Sequence, residues 1–203
     1  MTWRPARPVA RLLLGAGLAT AAATAGYLGL VTAALPIDLG IGRRLRPLGP
    51  CTIVIGAPRK VVFDVIAQPY LGRTTRAVRE KVHVLHAGSD MVLAAHRTPI
   101  RGRLVATTVE TVRFTRPERV DFRLVRGPVP HVVEEFLLTE RNGGTELTYR
   151  GELGTDLGSA GQWWADLVAR RWEHAVADTL DAVKIEAERR SSRHQRAHAQ
   201  HRR

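Results

Sequence analysis

The sequence predicts an α+β fold in which a curved antiparallel sheet wraps around one long helix near the carboxyl terminus. Residues 80–153 contain successive extended segments separated by short turns, the pattern of an antiparallel meander. Residues 159–190 carry a continuous apolar stripe at helical spacing. A short strand and two helical segments precede the meander. Because the long helix must cover its stripe with something large and apolar, the sheet is its expected partner.

The chain begins with a segment that predicts a membrane anchor. Residues 12–35 form a run of 24 without a charge, and about 20 apolar residues suffice for a helix to span a bilayer. A cleaved signal peptide is the alternative, because Ala23–Ala25 and Val31–Ala33 fit the small-residue cleavage rule. A buried soluble helix is the third option. A single-pass membrane protein is therefore expected, or a secreted one if the segment is cleaved, with the side of the domain left open.

Small residues recur every four positions in the predicted anchor, at Gly17, Ala21, Ala25 and Gly29. Such a row lets two helices approach closely, so a weak homodimer through the anchor is one option.

The positive charge of the chain lies mostly at its ends. Of the net charge of +12, residues 1–35, the Gly/Pro/Arg linker 36–50 and the tail 191–203 together carry +9, which leaves +3 for residues 51–190. The domain is therefore no basic platform, and no nucleic-acid partner is expected. The linker arginines suit anionic lipid headgroups. The tail, with His194, His198 and His201, is expected to be solvated and either disordered or a frayed helix end.

The domain itself is predicted over residues 51–190. Residues 51–55 form a β-branched strand, residues 57–67 a helix that ends before Pro69, and residues 70–78 a second short turn or helix. Six strands follow, over residues 80–88, 91–99, 101–114, 119–127, 131–140 and 144–153. Ser159, with Gln162 three residues later, marks the start of the last helix.

Several chemistries find no support in the sequence. The single cysteine, Cys51, allows no internal disulfide and is interpreted as a small apolar strand residue. No phosphate-binding loop, nucleophile elbow or zinc pattern occurs, and His83, His86, His96 and His131 lack metal-ligand spacing. We therefore predict neither a cofactor nor a metal.

The last hairpin raises the question of function. With a two-residue Asn142-Gly143 turn, Phe136 pairs with Tyr149, and both residues face the core. Glu134 then lies on the same inner face, opposite Gly151. The neighbouring Glu135 pairs with Arg150 on the outer face. A carboxylate inside a small domain costs free energy unless something compensates for its burial.

The preceding hairpin predicts that other charged side chains lie close to Glu134. A turn at residues 116–118 pairs Val112 with Phe122, Glu110 with Leu124 and Thr108 with Arg126, and the next loop would pair Leu124 with Glu134. Glu110, Arg126 and Glu134 would then lie together. Three interpretations stay open: the residues form an ion-paired structural cluster, they contact a ligand, or they transfer protons in a reaction. The candidate ligand-binding residues are Glu110, Arg126, Glu134, Phe122, Leu124, Phe136, Tyr149, Trp164 and Val168.

Three stretches resemble the START-like or SRPBCC superfamily, also called the polyketide cyclase/dehydrase group. They are "IGAPRKVVFDVIA", "RPERVDFRLVRGPV" and "GGTELTYRGEL". The resemblance, which covers about residues 51–190, implies a helix-grip fold with a hydrophobic cavity between sheet and helix. It implies no particular activity, since members bind sterols, lipids, plant hormones, polyketides or aromatic compounds and only some are enzymes. No family catalytic motif transfers residue by residue.

Three functions stay open from the sequence. The leading one is membrane-tethered binding or transport of a lipid or other hydrophobic small molecule. The second is a polyketide cyclase/aromatase-like enzyme that uses Glu134 as its acid–base residue. The third is a non-catalytic scaffold that meets a partner protein and has a filled core.

Overall fold

The structure, a computed structural model, describes residues 7–72 and 75–201. Helix α1 (Arg7–Val31) precedes strand β1 (Arg44–Ile55), helix α2 (Arg59–Leu71) and helix α3 (Arg76–Lys81). Six strands follow, and helix α4 (Gly158–His201) completes the chain. These strands are β2 (Val82–Ala87), β3 (Met91–Arg101), β4 (Leu104–Thr115), β5 (Arg119–Arg126), β6 (His131–Arg141) and β7 (Gly144–Thr155).

The seven strands form one antiparallel sheet in the order β1-β7-β6-β5-β4-β3-β2. Helix α4 packs against β1, β7 and α2. It presents small and branched side chains to the core, among them Ala165, Ala169, Val176, Leu180 and Val183. Phe63 of α2 and Tyr149 of β7 are fully buried between these layers. The predicted α+β fold, a sheet gripping one long helix, is confirmed.

Strand β1 is longer than the sequence predicts. It starts at Arg44, inside the predicted linker, because Arg44–Leu48 pair with Gly151–Thr155 of β7 before a register shift at Cys51. Pro47 and Pro50 obscure this strand in the sequence, but an edge strand such as β1 tolerates residues without a backbone N–H. Cys51 lies in this strand, as predicted, and its side chain is exposed.

Two helix ends also differ from the prediction. Pro69 lies inside α2, which continues to Leu71, because a proline in the last turn removes a single backbone hydrogen bond. Helix α4 begins at Gly158 and continues to His201, so residues 191–201 of the tail extend the helix, which agrees with the helix-end alternative and not with the disordered one. Gln162 was predicted to cap the start of this helix. Its side-chain oxygen instead accepts a hydrogen bond from Arg44 Nη1.

Helix α1 ends at Val31. Ala33, two residues later, has a left-handed backbone conformation, and Leu35 N donates back to Gly29 O in the last turn of the helix at 2.9 Å. This is the common helix ending in which a left-handed residue follows the last turn. Among the described residues, no helix combines the length and the apolarity needed to cross a bilayer. The predicted anchor over residues 12–35 therefore has no support from the structure.

The hairpin registers are largely as predicted. Glu134 pairs with Gly151, Glu135 with Arg150 and Phe136 with Tyr149, and on the other hairpin Glu110 pairs with Leu124. Two pairs are wrong. Glu134 pairs with Phe122 rather than Leu124, because the loop of residues 127–130 shifts the pairing by two residues and so keeps the same face. Arg126 pairs with Val109 rather than Thr108, because a bulge follows Val109.

Candidate functional site

Two carboxylates are buried on the inner face of the sheet. Glu110 of β4 is 4% exposed and Glu134 of β6 is 7% exposed. Gly151 makes room for Glu134, since a Cβ at Gly151 would lie 3.0 Å from Glu134 Cγ and 2.6 Å from the carbonyl oxygen of Val133. The predicted inward orientation of both carboxylates is therefore present in the structure.

Glu134 is held by two donors that both bind one of its oxygens. Tyr149 Oη and Trp172 Nε1 each donate to Oε1 at 2.6 Å. Among the described residues, no donor binds the second oxygen, Oε2. A carboxyl oxygen without a protein donor is able to accept a hydrogen bond from a bound molecule or, when protonated, to donate one to it.

The pKa of Glu134 is raised to about 7, first by burial and second by the nearby charge of Glu110, although the hydrogen bonds from Tyr149 and Trp172 act in the opposite direction. Removing a charge from water disfavours it, so the neutral carboxyl form gains. At neutral pH, Glu134 is therefore present both as a proton donor and as a proton acceptor.

Glu110 belongs to a separate chain of polar groups. His96 Nδ1 lies 2.9 Å from Glu110 Oε2, and Thr108 Oγ1 donates to Glu110 Oε1 at 2.6 Å. The other ring nitrogen, His96 Nε2, lies 3.0 Å from Tyr70 Oη. Burial alone would lower the pKa of His96, but the charge of Glu110 and its hydrogen bond raise it overall. His96 and Glu110 thus form a buried acid–base pair.

Aromatic rings fill the space around these polar groups. The ring of Phe122 lies 5.5 Å from that of Phe136, which lies 5.4 Å from that of Tyr149. Tyr70 lies 6.1 Å from Phe122 and 5.7 Å from His96. A ligand in this interior would therefore meet apolar and aromatic walls with a few polar groups, the usual composition of a small-molecule site.

One end of the interior, which we call the mouth, is defined by Thr108, Leu124, Gly127, Pro128 and Trp164. Trp164 Nε1 donates to Pro128 O at 2.8 Å, and a Cβ at Gly127 would lie 2.9 Å from Leu124 and 3.3 Å from Thr108. Leu124 and Trp164 are only partly buried. Gly127 and Pro128 are buried, so the mouth is closed in this structure.

The end of α1 borders the mouth. The rings of Tyr27 and Trp164 meet edge to face with centroids 6.1 Å apart. Arg126 Nε donates to Ala33 O at 2.5 Å and Nη2 to Ala34 O at 3.3 Å. A cation at the carboxyl end of a helix binds its free carbonyl groups and opposes the helix dipole.

Arg126 is thus the predicted site residue that the structure places elsewhere. Its guanidinium group binds the chain after α1 and makes no bond to Glu110 or Glu134. The bulge beside Val109 and the carbonyl groups after α1 together explain the difference. The remaining predicted residues do line the interior: Glu110, Phe122, Leu124, Glu134, Phe136, Tyr149, Trp164 and Val168 are buried or partly buried there.

Three residues of the candidate site, His96, Tyr70 and Trp172, were not predicted from the sequence. His96 was treated as an ordinary strand histidine, but its pairing with Thr108 puts it on the face of Glu110. The register of the β3–β4 hairpin would predict the position of His96, but the irregular turn of that hairpin hides the register in the sequence. Trp172 lies on the predicted apolar stripe, yet its indole N–H gives it a polar partner.

Other candidate sites are weaker. A concave surface of about 270 Å³ on the outer face of the sheet is lined mostly by charged residues, with two uncharged ones: Asp121, Val133, Glu134, Glu135, Arg150, Gly151 and Glu152. Within the described part of the chain, no three metal-ligating side chains come together. The side chains of His194, His198 and His201 lie outside the described residues.

Solved structures confirm the fold. The chain is similar to the Zhui aromatase/cyclase from Streptomyces sp. R1128, with 19% identity, a TM-score of 0.52 and coverage of 73% of this chain and 95% of that one. It is also similar to a truncated norcoclaurine synthase from Thalictrum flavum, with 10% identity, a TM-score of 0.55 and coverage of 73% and 96%. A protein from Thermus thermophilus gives 14% identity, a TM-score of 0.57 and coverage of 72% and 99%.

These neighbours have the helix-grip fold, and this chain shares it. At such identities the likeness extends to the fold and not to the activity. No model of a protein family matches the sequence, and no curated protein matches it either.

Proposed function

We propose that this chain binds an apolar small molecule with at least one oxygen function in the interior between the sheet and α4, where Glu134 hydrogen-bonds that oxygen. The observation that carries this proposal is the Glu134 carboxyl group, which is buried among aromatic rings with one oxygen bound by two donors and the other without one among the described residues. The helix-grip fold shared with an aromatase/cyclase supports a ligand of polyketide-like or aromatic character.

A purely structural role explains Glu134 less well. A structural carboxylate is normally stabilised by an Arg or Lys partner, but the cation predicted for this role, Arg126, binds the end of α1. An apolar residue at position 134 would fill the core without the cost of burying a carboxyl group. Residues that break a local rule in this way are typical of functional sites.

The ligand would enter at the mouth. Leu124 and Trp164 are only partly buried there. We expect rotation of these two side chains to open the interior while the sheet stays unchanged. Trp172 and Val168, also partly buried, lie on α4 further along the same face. The aromatic rings that now fill the interior would become the walls around the ligand.

Uptake of Nile red, an uncharged aromatic ketone with environment-sensitive fluorescence, tests the proposal. We expect saturable binding by the full chain that weakens as the pH rises past about 7, because ionised Glu134 no longer donates to the ketone oxygen. In Glu134→Gln the amide N–H still donates, so binding should persist and lose its pH dependence. Glu135→Gln, changed on the outer face, is the matched control. Failure of the wild-type chain to bind Nile red at any pH in this range would contradict the proposal.

A second candidate function, acid–base catalysis of the cyclase type, is favoured by the raised pKa of Glu134 and by the nearby His96–Glu110 pair. A group that titrates near neutral pH transfers protons efficiently to and from carbon acids. Exchange of the α-protons of 2-tetralone in heavy water measures this. Catalysis predicts faster exchange with the wild-type chain and none above background with Glu134→Gln, while Nile red binding persists. Equal exchange by both chains would exclude Glu134 as the base.

A further inference from the structure

Exposed apolar side chains cluster where the chain after α1 meets the start of α4. We call this cluster the linker patch and define it by Leu35, Ile37, Leu39, Ile41, Leu157 and Trp163. All six side chains are exposed, with Ile41 at 67% and Trp163 at 69%. Single exposed apolar residues are normal on a protein surface, but a contiguous group of large ones marks a site of interaction.

The backbone of the linker patch is fixed against the domain. The Asp156 carboxylate accepts hydrogen bonds from Leu39 N at 2.7 Å and Gly40 N at 3.0 Å. Leu157 N donates to Ile41 O at 2.9 Å, which places these two exposed side chains in one neighbourhood. Arg43 Nε donates to Asp156 at 2.8 Å, and this bond lowers the pKa of Asp156 to about 2.

The fixed backbone has a consequence for the side chains. Apolar residues alternate with Pro36, Asp38 and Gly40 along this segment, and the backbone polar groups of Leu39, Gly40 and Ile41 face the domain. The apolar side chains are thus displayed outward on an ordered loop, and little conformational entropy remains to be lost when something covers them.

Charge favours a membrane surface as that partner. Residues 1–50 carry a net charge of +5. Arg43 is paired with Asp38 and Asp156, and Arg46 with Asp166 and Glu173, so among the described residues Arg44 is the linker arginine without an acidic partner. Arg44 lies at the edge of the linker patch, where its Nη1 donates a hydrogen bond to Gln162, the residue before Trp163. Anionic headgroups attract such a flank, whereas a second copy of the same flank repels it.

Two further features suit a bilayer better than a protein partner. Trp163 has an amphipathic indole ring, and such rings concentrate at the level of the lipid headgroups. The linker patch is also continuous with α1, whose described side chains from residue 16 to residue 30 include no charge and are exposed or half-exposed. A protein interface of ordinary stability instead needs roughly 800 Å² per partner with a packed centre.

We propose that the linker patch docks on an anionic lipid bilayer, with its aliphatic side chains and Trp163 inserted at headgroup level. Docking of this kind lies along the surface and needs no membrane-spanning helix. It rests on the linker and the start of α4 and is independent of what the interior binds. Because Trp163 adjoins Trp164, docking also brings the mouth close to the bilayer.

A fluorophore at the linker patch tests the proposal in the full chain. With Cys51→Ser as background, an NBD label is attached at Ile41→Cys or, as a matched control, at Ile185→Cys. Ile185 is 68% exposed and lies about 40 Å further along α4 at 1.5 Å per residue. Vesicles of phosphatidylglycerol and phosphatidylcholine, with and without nitroxide-labelled lipid, are then added.

We expect emission at position 41 to shift to shorter wavelength, to rise several-fold and to be quenched by the nitroxide lipid, with little change at position 185. High salt or pure phosphatidylcholine should weaken the effect, because charge supplies part of the attraction. Equal responses at the two positions would overturn the proposal. A shift at position 41 that appears without vesicles and grows with protein concentration would also overturn it, since a second copy would then cover the linker patch.

Discussion

Replacing Glu134 by glutamine should change how the stability of the chain depends on pH. The folded chain holds the Glu134 proton up to about pH 7, whereas the ordinary pKa of the group is 4.5. Glu134 therefore contributes stability that is fully present below pH 4.5 and is lost as the pH rises through 7. A shift of about 2.5 units at 1.36 kcal/mol per unit corresponds to about 3 kcal/mol.

The variant lacks this loss because glutamine does not ionise, while its side-chain oxygen still accepts from Tyr149 and Trp172. Relative to wild type, the free energy of unfolding of Glu134→Gln should thus rise by about 3 kcal/mol between about pH 4 and about pH 8. Urea denaturation followed by circular dichroism at each pH measures the difference. Glu135→Gln, which loses an exposed ion pair with Arg150, should show no comparable pH trend. Stability curves that run parallel for Glu134→Gln and wild type would refute the reasoning.

Three further changes test other parts of the structure. Asp156→Asn should cost about 1–3 kcal/mol near neutral pH, and urea denaturation should show this difference vanishing as the pH falls through about 2. Arg126→Ala should speed amide hydrogen exchange in residues 27–35 about fivefold, because roughly 1 kcal/mol of bonding is lost, and unchanged exchange would contradict the contact. Gly151→Ala should lower stability by about 1–3 kcal/mol in thermal melts through its clash with the neighbouring strand, whereas Gly26→Ala, which meets open space, should not.

Much of the sheet was predictable because strand residues alternate between two faces. Once the Asn142-Gly143 turn is recognised, the pairing of Phe136 with Tyr149 and of Glu134 with Gly151 follows. The prediction failed where local signals were ambiguous. Pro47 and Pro50 suggest a linker, and only the partner strand β7 shows that Arg44–Leu48 is extended and paired. Long-range pairing of this kind leaves no local pattern in the sequence.

The candidate site was predictable in part for the same reason. The inward orientation of Glu110 and Glu134 follows from two regular hairpins. Arg126 was misplaced because a bulge changes the register without a sequence signature, and because the carbonyl groups after α1 compete for its guanidinium group. His96 was missed because its position depends on the irregular β3–β4 turn, where the register shifts between Pro99 and Arg101.

The alternative that the chain is a scaffold with a filled core makes the opposite prediction for one direct measurement. Native mass spectrometry of the full chain, expressed in cells that make diverse lipids and polyketides, is followed by extraction and identification of whatever is released. We expect one apolar, oxygen-containing small molecule per chain, displaced by excess Nile red and lost when Leu124→Trp fills the mouth. A chain that carries nothing and takes up no lipophilic molecule would contradict the claim that the interior is a binding site.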